Sequence, residues 1–324
     1  MLFEQETLIA DWGQKRERNI VIDLVSTKDE RSEAFQDFCN HLARIVPEIR
    51  IKTETEDEFT LPGIRIENIF YQAIPVDKEL ELFLNRLADS AFFARQLPVT
   101  VRGLLNRLGL PAPLKIYITP HCPFCPVTVK QLLCVAAASK FIKLTLIDGT
   151  LFPELANLDN IRSAPTVLLD DQYRWTGSIQ IQEVVEMILN RDPSRLSATS
   201  LEDMLKDGEA VRVAEMMTAS GKIFPALLDL MVHEKWPVRL GAMVAFETMA
   251  AHNQELAAQF VPLLWERFFQ VKDVVKGDIL YLLGQSGDGG AIAKLESILI
   301  GPYSDDVREA AADALEEIRC RSLK

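Results

Sequence analysis

A short apolar strand that runs into a closely spaced pair of cysteines constrains this chain more than any other feature. Lys115-Ile116-Tyr117-Ile118-Thr119 alternates as a strand does, Cys122-Pro123-Phe124-Cys125 follows at once, and Val127 to Ala137 carries a helical pattern. Two thiols at a strand-to-helix turn can close a small disulfide ring and reopen it. The helix start presents unpaired N–H groups and the positive end of the helix dipole, both of which favour a thiolate. The spacing therefore predicts Cys122 as a nucleophile with a lowered pKa and Cys125 as the thiol that resolves a mixed disulfide, so that Cys122–Cys125 forms a redox-active disulfide. Pro123 removes a backbone donor beside the Cys122 sulfur and stiffens the ring, and Pro123 and Phe124 are the residues a bound substrate would meet.

A rival reading is half of a zinc site. Four-ligand zinc needs a second Cys or His pair. His121 is adjacent, but Cys39, Cys134 and Cys320 each stand alone, so no resident metal is expected. Cys39 and Cys134 read as small buried hydrophobes, and Cys320, with basic neighbours Arg319 and Arg321, as a more exposed thiol. Five cysteines in 324 residues suit a reducing compartment better than a disulfide scaffold. A net charge of −12 without a Lys/Arg cluster disfavours nucleic acid and anionic membrane. The start Met1-Leu2-Phe3-Glu4 shows no secretory pattern, no apolar run reaches membrane-spanning length, and a cytoplasmic location is expected. Gly284, Gly287, Gly289 and Gly290 follow a helical pattern and read as a turn, not a dinucleotide fingerprint, and no cofactor is expected.

Along the chain, a helix is expected over Phe3–Gly13, a strand over Asn19–Val25, a helix over Glu30–Ile45, strands over Ile49–Thr53 and Ile64–Phe70, and a helix over Asp77–Ala94. The order recurs after residue 114, with strands Phe141–Ile147 and Thr166–Leu169 and a helix Gln180–Asn190. Shifting the first half by 95 positions lays Cys39 on Cys134 and puts Thr27 and Glu30 opposite Cys122 and Cys125, so the first unit lacks the thiol pair. Arg191 to Ser200 breaks both periodicities and reads as a linker, with Ser200 and Asp203 opening an all-helical region. There Val238-Arg239, Val274-Val275 and Val307-Arg308 begin matching helices, at spacings of 36 and 33 residues, which suits stacked helical pairs.

Strand–helix–strand followed by strand–strand–helix resembles the thioredoxin layout, a mixed sheet covered by helices. Ile116-Tyr117, the cysteine motif with Pro126, Ile147-Asp148-Gly149-Thr150-Leu151-Phe152 and Ala164-Pro165 resemble the N-terminal tandem-thioredoxin domain of the flavoprotein reductase of alkyl hydroperoxide reductase. They also resemble protein disulfide oxidoreductases and, within the second unit, glutaredoxins. Leu61-Pro62 looks like the first unit's degenerate counterpart of Ala164-Pro165, and Asp306 to Ala311 resembles a HEAT repeat. The fold class expected is α/β plus all-α: degenerate thioredoxin-like unit 1–107, redox unit 108–193, and HEAT-like solenoid 194–324.

The resemblance implies that Cys122 attacks, Cys125 resolves, and a cis Pro165 shapes a substrate groove in which the Ala164 backbone pairs with a substrate chain and Thr166 packs behind. An ordinary strand-initial proline is the plainer alternative at Pro165. Many thioredoxins place a buried carboxylate six residues before the first cysteine; that position is Ile116 here, which leaves the proton carrier unassigned. His121 reads as either a cation aiding Cys122 or a solvated turn residue. The flavoprotein's FAD and NADH modules are not recognisable. The expectation is thus a glutaredoxin- or thioredoxin-like protein disulfide oxidoreductase in cell redox homeostasis, acting on protein thiols and disulfides such as a peroxiredoxin-like protein. A separate reductase or glutathione would supply its electrons, and the helical repeats would recruit a protein partner. The alternatives are a scaffold whose disulfide regulates binding by the helical domain and a glutaredoxin-type cluster carrier.

Overall fold

The computed structural model of the chain describes residues 3–14, 20–55, 61–286 and 289–322. It divides into two compact units, Met1–Asn190 and Arg191–Lys324.

In the first unit the alternating segments pair into one eight-stranded sheet. The strands are β1 (Ile20–Ser26), β2 (Ile49–Thr55), β3 (Gly63–Ile66), β4 (Ile69–Gln72), β5 (Ala112–Ile118), β6 (Ile142–Asp148), β7 (Thr166–Leu169) and β8 (Tyr173–Thr176), in the order β2-β1-β3-β4-β6-β5-β7-β8. Each half repeats the same order, and the seam between them is the parallel pair β4–β6, with Ile69 opposite Leu144 and Gln72 opposite Ile147. The helices are α1 (Phe3–Gly13), α2 (Ser32–Ile45), α3 (Asp77–Ala88), α4 (Ser90–Arg95), α5 (Val99–Leu105), α6 (Cys125–Ala138), α7 (Pro153–Leu158) and α8 (Ile181–Asn190). Amphipathic spacing explains their docking: α2 buries Phe35, Phe38, Cys39 and Leu42, and α3 buries Leu80, Phe83 and Leu84. One hydrophobic core runs through both halves. Phe35 of the first half lies 6.3 Å from Phe152 of the second, and Tyr71 and Phe38 meet Phe83 edge-on.

Several sequence expectations are corrected. Ile64–Phe70 is not one strand but the hairpin β3–β4, turned at Glu67 with φ of 51°. The expected helix over Asp77–Ala94 breaks at Asp89, whose extended backbone ends α3 while its carboxylate accepts the Phe92 N–H and caps α4. Helices α5 and α7 and the edge strand β8 were not anticipated; β8 is only four residues long and half-exposed. Asn19, the expected start of β1, lies outside the described residues.

The internal repeat also has a different register. Helices α2 and α6 start at Ser32 and Cys125, 93 positions apart, so Asp29 and Ser32 stand opposite the cysteines where Thr27 and Glu30 were expected. Helical apolar patterns fit several registers, which is why a shift by two positions looked acceptable. The first unit's corner is tied off by polar bonds. Ser32 Oγ donates to the Thr27 carbonyl, and Arg31 pairs with Asp29 at 2.6 Å and reaches the Leu151 carbonyl and Glu154 across the seam.

Asn68, in the β3–β4 turn, fastens the seam from the other side. Its Nδ2 group faces the carbonyls of Ala136, Ser139 and Ile142 at 2.8, 3.3 and 2.7 Å, so a residue of one half satisfies the end of α6 in the other. Asn68→Ala is expected to destabilise the first unit by about 2 kcal/mol, since it removes the side-chain donor that the Ala136 and Ile142 carbonyls share, while the Ser139 carbonyl keeps the Ile142 N–H. An unchanged urea midpoint for loss of sheet structure would contradict this.

The second unit is helical. A short 3₁₀ turn (Pro193–Arg195) precedes α9 (Ala198–Lys206), α10 (Ala210–Ser220), α11 (Pro225–Met231), α12 (Trp236–His252), α13 (Gln254–Ala258), α14 (Phe260–Phe268), α15 (Asp273–Ser286), α16 (Gly289–Leu299) and α17 (Asp305–Ser322). The expected linker is folded: Asp192 caps the 3₁₀ turn, and Ser197 rather than Ser200 caps α9 by accepting the Ser200 N–H at 3.2 Å. Val238, Val274 and Val307 each fall in the first turn of a long helix, α12, α15 and α17, and α15 packs against both of the others. Arg239, buried at the start of α12, joins it to α15 through Asp278 at 2.8 Å. Residues 287 and 288 of the expected glycine turn lie outside the described residues.

Candidate active site

Parallel pairing decides which loops meet. Strands β4, β6 and β5 run the same way, with Gln72 and Tyr117 level on either side of Ile147. The segments that leave β4 and β5 therefore emerge together at the carboxyl edge of the sheet, where α/β proteins build their sites. The start of α3 thus lands beside the cysteine turn.

Strand β5 ends at Ile118 and the chain turns through Thr119, Pro120 and His121, the last at φ of 60°. The Cys122 N–H closes the turn on the Thr119 carbonyl at 3.3 Å. Helix α6 starts at Cys125 itself, two residues before the expected Val127, with Pro126 in its first turn where a missing N–H costs nothing. Both cysteines are free thiols; Cys122 is partly exposed, and Cys125 is fully buried. Pro123 and Phe124 protrude, Phe124 with 70% of its surface open.

The Ala164–Pro165 bond is cis, and it delivers the chain to β7. The Cys122 Sγ lies 3.9 Å from the Ala164 carbonyl oxygen. Pro165 is buried beneath the turn. Thr166 is also buried, its hydroxyl donating to the Ser163 carbonyl at 2.8 Å, so its side chain faces inward while Ala164 stays partly open. The residues that the sequence nominates thus gather around Cys122, with Pro123, Phe124 and part of Ala164 open to solvent and Cys125, Pro165 and Thr166 buried.

His121 does not turn to the sulfur. It is mostly exposed, and its Nδ1 lies 2.8 Å from the carboxylate of Asp77 at the start of α3. Two residues on, Glu79 is the residue that sequence reasoning missed. Its Oε1 is buried without a hydrogen-bond partner among the described residues. Burial raises its pKa; its own backbone N–H opposes that rise, the neighbouring Asp77 adds to it by less, and His121 and Lys78 oppose it weakly. Cys125 is pushed up to about 12, first by burial, then by its hydrogen bond with Cys122, with the Glu79 charge contributing and the Thr119 backbone opposing. A buried thiol that must lose a proton thus lies within the field of a half-buried carboxylate whose raised pKa suits it to take one up, the two groups coming from different halves of the unit. No sequence signal marked Glu79, because the strand pairing that brings it there is long-range.

Burial also lifts Cys39 to about 12 and Cys134 to about 11, which keeps both as inert core thiols. Among the described residues, no group of three or more His, Cys, Asp and Glu side chains could hold a metal ion. No helix among them is long and apolar enough to cross a membrane.

A thiol pair at a strand–turn–helix corner, faced by a cis proline that opens the next strand, defines a thioredoxin-like domain. Residues 113–190 match the family model of the thioredoxin domain. The AhpF protein of alkyl hydroperoxide reductase from Staphylococcus epidermidis is 22% identical over 162 residues, covering 48% of this chain and 31% of that protein. The chain thus spans about a third of the length of the curated relatives it matches. Among solved structures, a protein disulfide oxidoreductase from Aeropyrum pernix is similar with a TM-score of 0.51 at 13% identity, over 60% of this chain and 95% of that one. The NTD_N/C domain of alkyl hydroperoxide reductase AhpF from Enterococcus faecalis gives a TM-score of 0.48 at 19% identity, over 58% of this chain and 99% of that one.

Proposed function

We propose that the chain is a protein thiol–disulfide oxidoreductase in which Cys122 is the nucleophile, Cys125 the resolving thiol and Glu79 the proton carrier. The observation that carries this is the asymmetry of the pair: an accessible sulfur beside the Ala164 backbone and a fully buried one that feels the charge of the half-buried Glu79. The Cys122 thiolate displaces one sulfur of a partner's disulfide; that S–S bond breaks, a Cys122–partner bond forms, and the released thiolate takes up a proton. Cys125 then gives its proton to Glu79 and attacks the Cys122 sulfur. The mixed disulfide breaks, Cys122–Cys125 closes, and the second partner sulfur leaves as a thiolate that takes up the proton released from Glu79. Two electrons pass to the partner, and glutathione or a separate reductase restores the dithiol. Pro123, Phe124 and Ala164 line the substrate groove over the buried Pro165 and Thr166, with the Ala164 backbone, whose carbonyl lies 3.9 Å from the Cys122 Sγ, placed to pair with an extended chain.

We read residues 1–107 as a degenerate thioredoxin-like unit that contributes Glu79, residues 108–193 as the glutaredoxin-like redox unit, and 194–324 as HEAT-like repeats that recruit a protein partner in the cytoplasm. Trp236, Leu240 and Val244, exposed at four-residue spacing along α12, support the recruiting role. The oxidoreductase reading is tested by reduction of insulin with dithiothreitol. Acceleration over dithiothreitol alone is expected, and equal rates would refute it.

A further inference from the structure

A cleft of about 400 Å³ opens beside the thiol pair, between α3, α4 and the first turns of α6. Leu82, Phe92, Pro126 and Val127 give it apolar walls, and Phe92 and Val127 stand 47% and 62% exposed. Two lysines flank it, Lys78 and Lys130, and neither forms an ion pair among the described residues. Glu81 is the one acidic lining residue, so the rim is positive in a chain whose net charge is −12. An apolar floor under unpaired cations fits an acidic segment with a bulky apolar side chain.

We propose that this cleft docks the part of a partner protein next to its reactive cysteine, a segment carrying a large apolar residue and a carboxylate. The proposal rests on the oxidoreductase reading and names the substrate class of that same site. The reach is suitable. Lys130 lies five residues beyond Cys125, about 7.5 Å along the helix axis. An extended partner chain covers about 3.3 Å per residue, so that rise alone spans a little over two positions, and the further step from Cys125 back to Cys122 brings the carboxylate to roughly three positions from the sulfur that Cys122 attacks. A partner bound this way pairs its backbone at Ala164 on one side of the sulfur and anchors its side chains between Phe92 and Val127 on the other.

The test uses the full chain and two synthetic disulfide peptides, identical except for Glu or Lys three residues after the cysteine, each with a Phe between. Rates under dithiothreitol are followed by chromatography and corrected for the uncatalysed reaction. The wild type is expected to show kcat/KM at least about 10-fold higher for the Glu peptide at low ionic strength. In Lys78→Gln/Lys130→Gln that ratio is expected to fall to about 1, and in Phe92→Ala kcat/KM is expected to fall for both peptides. Both peptides use the same sulfurs, so the ratio cancels any effect of Lys78 on its neighbour Glu79. A wild-type ratio near 1, a ratio that survives the lysine substitutions, or a second copy of the chain found seated on Phe92 by sedimentation and cross-linking would overturn the proposal. Reduction of hydroxyethyl disulfide by the wild type separates the two failures: turnover with no charge preference removes the docking site alone, and no turnover removes the oxidoreductase reading with it.

Discussion

Cys122→Ser is expected to lower insulin reduction to the dithiothreitol background, a loss on the order of 10³-fold or more, because it removes the only sulfur in the pair that a partner can reach. Cys125→Ser is expected to behave differently. Its Cys122 still attacks, but the hydroxyl that replaces the buried thiol cannot resolve the product, so the variant stalls as a mixed disulfide after one turnover. Non-reducing electrophoresis of Cys125→Ser with a reporter disulfide should show a stoichiometric adduct, and the Cys122→Ser variant none. The asymmetry in exposure makes the assignment directional: an adduct on Cys122→Ser and none on Cys125→Ser would reverse the two roles. Cys39 and Cys134 supply the internal control, since burial holds both thiols protonated and neither should label under the same conditions.

The corner that carries this chemistry was legible because three signals coincide there: a two-residue period, a cysteine spacing and a helical period, ending in β5, the turn and α6. Pro165 was legible for a different reason, through its position ahead of a short apolar run, and the cis bond lies there. Boundaries inside apolar stretches were less readable. Ile64 to Phe70 looks continuous because the hairpin turn at Glu67 and Asn68 interrupts it with two polar residues that a strand edge also tolerates. Asp89 fell inside the helix expected over Asp77–Ala94, although its short carboxylate competes better for a free N–H at a helix start than it serves a helix interior. The seam between the halves could not be read at all. Period-two patterns say which face of a strand is buried, not which strand lies beside it, so the β4–β6 pairing and everything it delivers to the site appear only in three dimensions.

Glu79 is the main consequence of that pairing, and Glu79→Gln is expected to slow resolution of the mixed disulfide by on the order of 10²-fold while leaving the first attack by Cys122 nearly unchanged. Cys125 starts from a pKa of about 12 and needs a nearby acceptor for its proton; the amide of the variant can accept none at neutral pH. In the wild type, the resolving rate should rise with pH as Glu79 ionises, from above the ordinary carboxylate range because burial and Asp77 raise its pKa. That rise should vanish in Glu79→Gln. Stability carries the opposite sign. A carboxylate whose folded pKa is raised contributes its stability below the unfolded value of about 4.3 and loses it as pH climbs through the folded value. At neutral pH the wild type therefore holds a charge in a poorly solvated place, and Glu79→Gln should be the more stable protein in urea at pH 7, with the difference shrinking toward pH 4. A structural role for Glu79 would instead lower stability at every pH and slow both chemical steps together. Rapid-mixing kinetics that resolve the two steps, run beside urea titrations across that pH range, separate a proton carrier from a packing residue. A variant both less stable at pH 7 and still pH-dependent in resolution would remove Glu79 from the mechanism and leave the Cys125 proton to solvent.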